Sequence, residues 1–269
     1  MKEQYGKLSL ENLEDINKFI KDLIDILPFF RNMTHKNAGK LVEDIDARLN
    51  WSIFYSLPFL DHLSLLISSL DLNDDLKYAA KQSDPTSCLL SLWRNKRVED
   101  WDDKSDGYGS YFSKGSAVAL AISFLKSFES IFVFGKPLNR LLSDLHDGDN
   151  KALRKILRID HSAVLNPEIA WRLMSAELEH DIPVFNQIGN ALKERDQSKN
   201  KKSNKKDLEY RELRFFLALL QESGGLDKLS EEQCYQLFCL QLKVFPDDGA
   251  DPAGSLKRYI TRWKKMIRT

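Results

Sequence analysis

The chain is sparing with the residues that punctuate or cross-link a fold. Twelve glycines and eight prolines in 269 residues exclude a collagenous or low-complexity protein. Its three cysteines, Cys88, Cys234 and Cys239, are odd in number and widely spaced, which excludes a dense disulfide framework and points to a reducing compartment, the cytoplasm. Cys234 and Cys239 stand about 140° apart on a helix, too far round for a metal clip, and read as small core residues. An excess of either charge is also missing. Forty Lys and Arg offset forty Asp and Glu, so bulk composition supplies neither the attracting field of a nucleic-acid binder nor an acidic tail. Long hydrophobic runs are lacking as well: Trp51 to Leu72 is interrupted by Pro58, Asp61 and His62, and Ser116 to Phe134 by Lys126 and Glu129, each costly in hydrocarbon. Residues 1 to 10 hold Lys2, Glu3 and Lys7 but no apolar run, so no signal peptide is expected.

What is present is helical periodicity. A hydrophobic content of 42% is enough for a sizeable core, and its spacing is three and four throughout. Leu13, Ile16, Ile20, Leu23 and Leu27 form one amphipathic stripe ended by Pro28, and Ala38, Leu41, Val42 and Ile45 a shorter one. Asp84-Pro85, Asn166-Pro167 and Asp251-Pro252 each offer a capping oxygen followed by proline at the first helical position. Ser230 with Gln233 reads as a capping box. Gly135, Gly148 and Gly224-Gly225 stand where helices would close, and Pro137 would start the next one. No stretch alternates as a strand does. The expectation is an all-α protein of about ten helices in a multi-helix bundle, with a smaller C-terminal helical segment.

Two polar stretches suggest boundaries. Residues 97–115, with Gly107, Gly109, Gly115, Tyr108, Tyr111 and Phe112, read as a long loop and a candidate contact surface. Residues 197–206 read QSKNKKSNKK and make the best linker in the chain. The division expected is a helical body over 1–196, a lysine linker over 197–206 and a three-helix segment over 207–269. A faint echo at a spacing of 32 residues matches Asp149, Ala152, Leu153 and Ile156 with Asp181, Val184, Phe185 and Ile188, as two amphipathic helices with an Asp cap would.

Charge is unevenly divided: residues 1–150 carry 18 basic and 23 acidic side chains, residues 151–269 carry 22 and 17. The last sixteen residues hold six basic side chains and no acidic one. On a helical wheel Leu256, Tyr259, Ile260, Trp263, Met266 and Ile267 share one face, and Lys257, Arg258, Arg262, Lys264, Lys265 and Arg268 take the rest. This is either a terminal helix docked by its apolar face, with cations favoured by the helix dipole, or a phosphate-contacting helix. The nucleic-acid reading would use Lys201, Lys202, Lys205 and Lys206 of the linker with Lys257, Arg258, Arg262, Lys265 and Arg268.

Catalytic signatures are absent. No Walker A loop, G-x-S-x-G elbow or H-E-x-x-H pair occurs. His62, His146, His161 and His180 each adjoin an aspartate, as helical metal-dependent hydrolases require, but two of the pairs precede Gly148 and Pro183 at helix junctions, where caps explain them. No metal, cofactor or catalytic residue is assigned. Two apolar clusters remain: Trp51, Phe54, Tyr55, Phe59 and Leu60 read as core, while Phe215, Phe216, Leu219 and Leu220, with Leu213 and Leu217, cover most of a helix circumference. The second group is either buried on several sides or part of a subunit interface. The functional expectation is a non-enzymatic helical interaction protein that binds a protein partner or itself through apolar helix faces, with nucleic-acid binding second, a metal-dependent hydrolase third and no membrane role.

Overall fold

The computed structural model describes residues 50–69, 72–85, 87, 88, 91, 92, 114–198 and 210–268, with positions 17, 21, 24, 25 and 28. The two N-terminal stripes, the aromatic loop to residue 113 and the four linker lysines Lys201, Lys202, Lys205 and Lys206 lie outside the described residues apart from those five positions. The described residues are all-α, with ten α-helices and no strand. They run α1 (Phe59–Ser69), α2 (Leu72–Ala79), α3 (Lys114–Phe134), α4 (Leu138–His146), α5 (Asn150–Ile159), α6 (Pro167–Leu178), α7 (Ile182–Ser198), α8 (Arg211–Glu222), α9 (Glu231–Tyr235) and α10 (Pro252–Arg268). No described helix is long and apolar enough to cross a membrane.

The punctuation acts as the residue types require. Gly135 closes α3 at φ +74°, Gly148 closes α4 at +95° and Gly224 closes α8 at +73°, the left-handed backbone that costs a residue without Cβ least. Asn166 accepts from the amides of Glu168 and Ile169 at the start of α6, and Asp251 from Gly254 at the start of α10. Ser230 and Gln233 form the reciprocal capping box of α9. Two left-handed positions are not glycine: His180, between α6 and α7, at φ 53°, and Lys243 at 52°.

The helices close two apolar cores. The first joins Phe59 and Leu63 of α1, Phe124 and Phe128 of α3, and Phe215 and Phe216 of α8 with Phe238, Leu256 and Trp263. Phe59 stacks on Phe124 at 5.0 Å and meets Phe215 edge-on at 5.9 Å. The second gathers α4 to α7 around Leu141, Leu153, Ile156, Ile169 and Val184, with Tyr55 from the segment before α1. Helices on either side of the lysine run, α1 to α3 and α8 to α10, therefore meet in one core. The last helix docks closely: a Cβ on Gly135 would collide with Met266 Cε and stand 3.0 Å from Ile267 Cγ2.

A buried carboxylate ties the segment before α1 to the second core. Asp160 accepts from Trp51 Nε1 at 2.8 Å, Ser162 Oγ at 2.7 Å and the Ser162 amide at 3.0 Å, and from the Tyr55 hydroxyl. Burial pushes its carboxyl up, but the hydrogen bonds from Tyr55, Ser162 and Trp51, with the charge of Lys126, outweigh it and hold the group below the ordinary aspartate value. Asn166 adds a second tie, donating to Ser52 O at 2.7 Å.

Candidate functional site

The helix α6 buries one side against the second core, through Ile169 and Ala176, and leaves its other side apolar. Trp171, Met174 and Leu178 stand at intervals of three and four, within a sector of about 60°, and are 70%, 59% and 82% exposed. The line turns the corner into α7, where Ile182 is 65% exposed and Phe185 and Leu192 are also exposed. Val164 and Leu165, just before α6, extend it at the other end. Single exposed hydrophobics are ordinary, whereas eight of them on two successive helices and the turn before them are more than a free surface needs.

The rim of this face is acidic. Glu168, Glu177 and Glu179 are exposed around it, while the one arginine of α6, Arg172, is bound to Asp181 at 2.6 Å and to Asn150 Oδ1 at 3.1 Å. The face is rigidly held. The Asn166 cap fixes the start of α6, the Arg172–Asp181 pair spans the turn to α7, and Val184 and Ala191 lock α7 onto the second core.

Sequence reasoning used only the Asn166-Pro167 cap of this segment and passed over its apolar residues. Ile169 and Leu173 lie opposite Trp171 and Leu178, so the helix is apolar on two sides, more than a single core contact needs. For residues 213–220 the sequence left burial on several sides and a subunit interface both open, and named Phe215, Phe216, Leu219 and Leu220 for the interface. Phe215, Phe216, Leu219 and Leu220 are all fully buried within one chain, packed between α1, α3 and the C-terminal helices, so they are core and present nothing to a second subunit.

The basic residues of α10 are placed as the wheel predicts. Leu256 and Trp263 are buried, and Lys257, Arg258, Arg262 and Lys265 are exposed; the side chain of Arg268 lies outside the described set. Several of these cations stand beside acids: Lys257 pairs with Glu231, Arg258 lies 3.7 Å from Asp251, and Lys264 bonds Asp227. The His-Asp neighbours do not converge. His62 is buried on α1 with Nε2 2.8 Å from Leu120 O, His146 ends α4, His161 starts a 3-10 turn and His180 forms the α6–α7 corner. Among the described residues no group of three or more His, Cys, Asp or Glu is placed to hold a metal.

A cleft of about 300 Å³ opens between the α3–α4 junction, α8 and α10, with Arg140, Asp144, Glu222 and Trp263 in its walls. Its ions are largely spent on one another, as Lys136 bonds Asp144 at 2.7 Å. Glu222 Oε1 accepts from the Phe59 amide at 2.9 Å and from Asn139 Nδ2 at 3.4 Å. Burial raises its carboxyl above the ordinary glutamate value, against the pull of these bonds and of Arg140. Its Oε2 and Trp263 Nε1 are buried in the cleft wall without a hydrogen-bond partner.

No known protein family, curated protein sequence or solved structure matches this chain.

Proposed function

We propose that this protein is a helical interaction module that binds a protein partner through the apolar face of α6 and α7. The observation that carries the reading is the run Leu165, Trp171, Met174, Leu178 and Ile182, each at least 59% exposed on helices locked to a core. Large aromatic and aliphatic side chains held this rigidly lose little entropy on contact and form the anchors of protein interfaces. The acidic rim of Glu168, Glu177 and Glu179 selects against partners of like charge. Cys88, Cys234 and Cys239 are free thiols, which suits a reducing compartment such as the cytoplasm.

The test is a photo-cross-linker, p-benzoylphenylalanine, placed at Leu178 in the full chain in cells. Protein adducts are expected there, and not from the same group at Tyr78, an exposed position on α2. Adducts at Leu178 should vanish with Trp171→Glu. Equal labelling at both positions, or labelling indifferent to Trp171→Glu, overturns the reading.

A second reading rests on Arg262, an exposed cation of α10 with no ion pair or hydrogen bond among the described residues. It makes α10 a phosphate-contacting helix. Binding of labelled DNA or RNA that falls steeply with salt and is lost in Arg262→Glu favours it over the apolar face.

A further inference from the structure

The exposed apolar stripe of α6 is bordered on both flanks by charge of one sign. On a helix turning about 100° per residue, Met174, Leu178 and Trp171 fill a sector of about 60°, with Glu168 and Glu179 beside it on the Trp171 flank and Glu177 on the Met174 flank. All three glutamates are exposed, and none has an ion pair or a side-chain hydrogen bond among the described residues. The one cation of α6, Arg172, is held by Asp181 and Asn150. Past the corner, Lys193, Glu194, Arg195 and Asp196 cancel at the end of α7, so the charge of the face is that of α6.

The stripe offers a partner no backbone hydrogen bond. The amides and carbonyls of α6 are paired along the helix, and the described residues contain no strand edge. An extended segment pressed on such a face would bury its own unpaired N–H and C=O groups, whereas a helix carries its bonds within itself. Resting on the reading of α6 and α7 as a contact face, we infer that the occupant is a basic amphipathic helix of another protein, laid along α6 with its apolar side on Trp171, Met174 and Leu178 and its lysines and arginines over Glu168, Glu177 and Glu179. Charge selects this occupant over the others. A second copy of the chain would set the three glutamates against themselves, and an anionic bilayer surface would meet the same repulsion. Cations on the two flanks of an incoming helix meet acids on both sides, and their long aliphatic stems extend the apolar contact.

Selection of phage-displayed random peptides on the purified full chain, with counter-selection on Trp171→Glu, tests this. Enriched peptides should space apolar residues at three and four with Lys or Arg between them. Their affinity should fall about tenfold when Glu168→Lys, Glu177→Lys and Glu179→Lys are combined, and about threefold or more between about 50 and 200 mM salt. Both variants should keep the thermal midpoint of the unaltered chain, because the four altered side chains are exposed. Enriched peptides that are acidic or uncharged, an affinity that the combined charge reversal leaves intact, or no enrichment over Trp171→Glu overturns the inference. A Trp171-dependent dimer of the full chain, or Trp171-dependent binding to phosphatidylcholine vesicles, names another occupant and overturns it too. If the inference falls while Leu178 still cross-links another protein in cells, the contact face stands and only its occupant is wrong; loss of cross-linking at Leu178 removes the face itself.

Discussion

His62 shows how little a neighbour in sequence decides. The Asp61-His62 dipeptide suggested paired chemistry, but the imidazole turns away into the first core, where Leu120 O, which can only accept, fixes the proton on Nε2. Burial, opposed by this bond, pushes the imidazolium down from the ordinary histidine value of 6.5 to about 4. Between those two values the unfolded chain binds a proton that the folded chain refuses, so stability rises with pH across that window and falls as pH drops through it. The full difference is about 3 kcal/mol. Urea unfolding at pH 4 and pH 7 should show it in the unaltered chain, and the difference between the two should shrink by that amount in His62→Gln. An unchanged difference would mean that the ring is not held neutral. Asp160 is the opposite case. It is buried too, yet its donors keep it charged, so burial alone predicts neither the sign nor the size of a shift.

At the scale of elements, what could be read locally was read correctly. Caps depend on one side chain and the next three amides, and the expected oxygens of Asp84, Asn166, Ser230 and Asp251 all cap. Asn166 also does something local sequence could not show, because its amide reaches Ser52 O across 114 residues. Asn166→Ala therefore removes a cap and one of the two hydrogen bonds to the buried Ser52 carbonyl, the other coming from the Tyr55 amide, and should cost about 2 kcal/mol. Asp149→Ala removes only the bond to the Lys151 amide and should cost about 1 kcal/mol. Equal losses in chemical denaturation would mean that the tie to Ser52 carries nothing. Where packing overrides local preference the reading failed. The Ser230–Gln233 box and the placing of Cys234 and Cys239 on one regular helix predict an unbroken α-helix here, but α9 ends at Tyr235 and a π-turn follows over Gln236–Gln241. Leu237, Phe238 and Cys239 of that turn and Leu242 just after it are all buried in the first core. The echo of 32 residues misled in a useful way. Leu153 is fully buried, but its counterpart Phe185 is 38% exposed, so α7 repeats the pattern of α5 and turns part of it outward.

Across the whole molecule, the fold class was legible and the pairing of its helices was not, because periodicity records that a face is buried without naming what covers it. The lysine run at 197–206 is the clearest break in composition, and yet α8 brings Phe215 and Phe216 back between α1 and α3. Arg214 reinforces the join, donating to Phe132 O at 2.6 Å and to the Tyr259 hydroxyl at 3.0 Å. The same limit hid the contact face, since Trp171 and Leu178 look in sequence like any other core residues. A chain truncated after Ser198 keeps every helix of the second core, α4 to α7, but uncovers Phe59, Phe124 and Phe128 of the first. Three aromatic side chains at about 1.5–3 kcal/mol of burial each are comparable with the whole stability of an ordinary domain. The truncated chain should therefore bind a hydrophobic dye such as ANS and lose the cooperative melting of α1 and α3, while helical circular dichroism from α4 to α7 persists. Were it instead to melt as sharply as the full chain without binding dye, α8 to α10 would be an appendage and the first core would not need them.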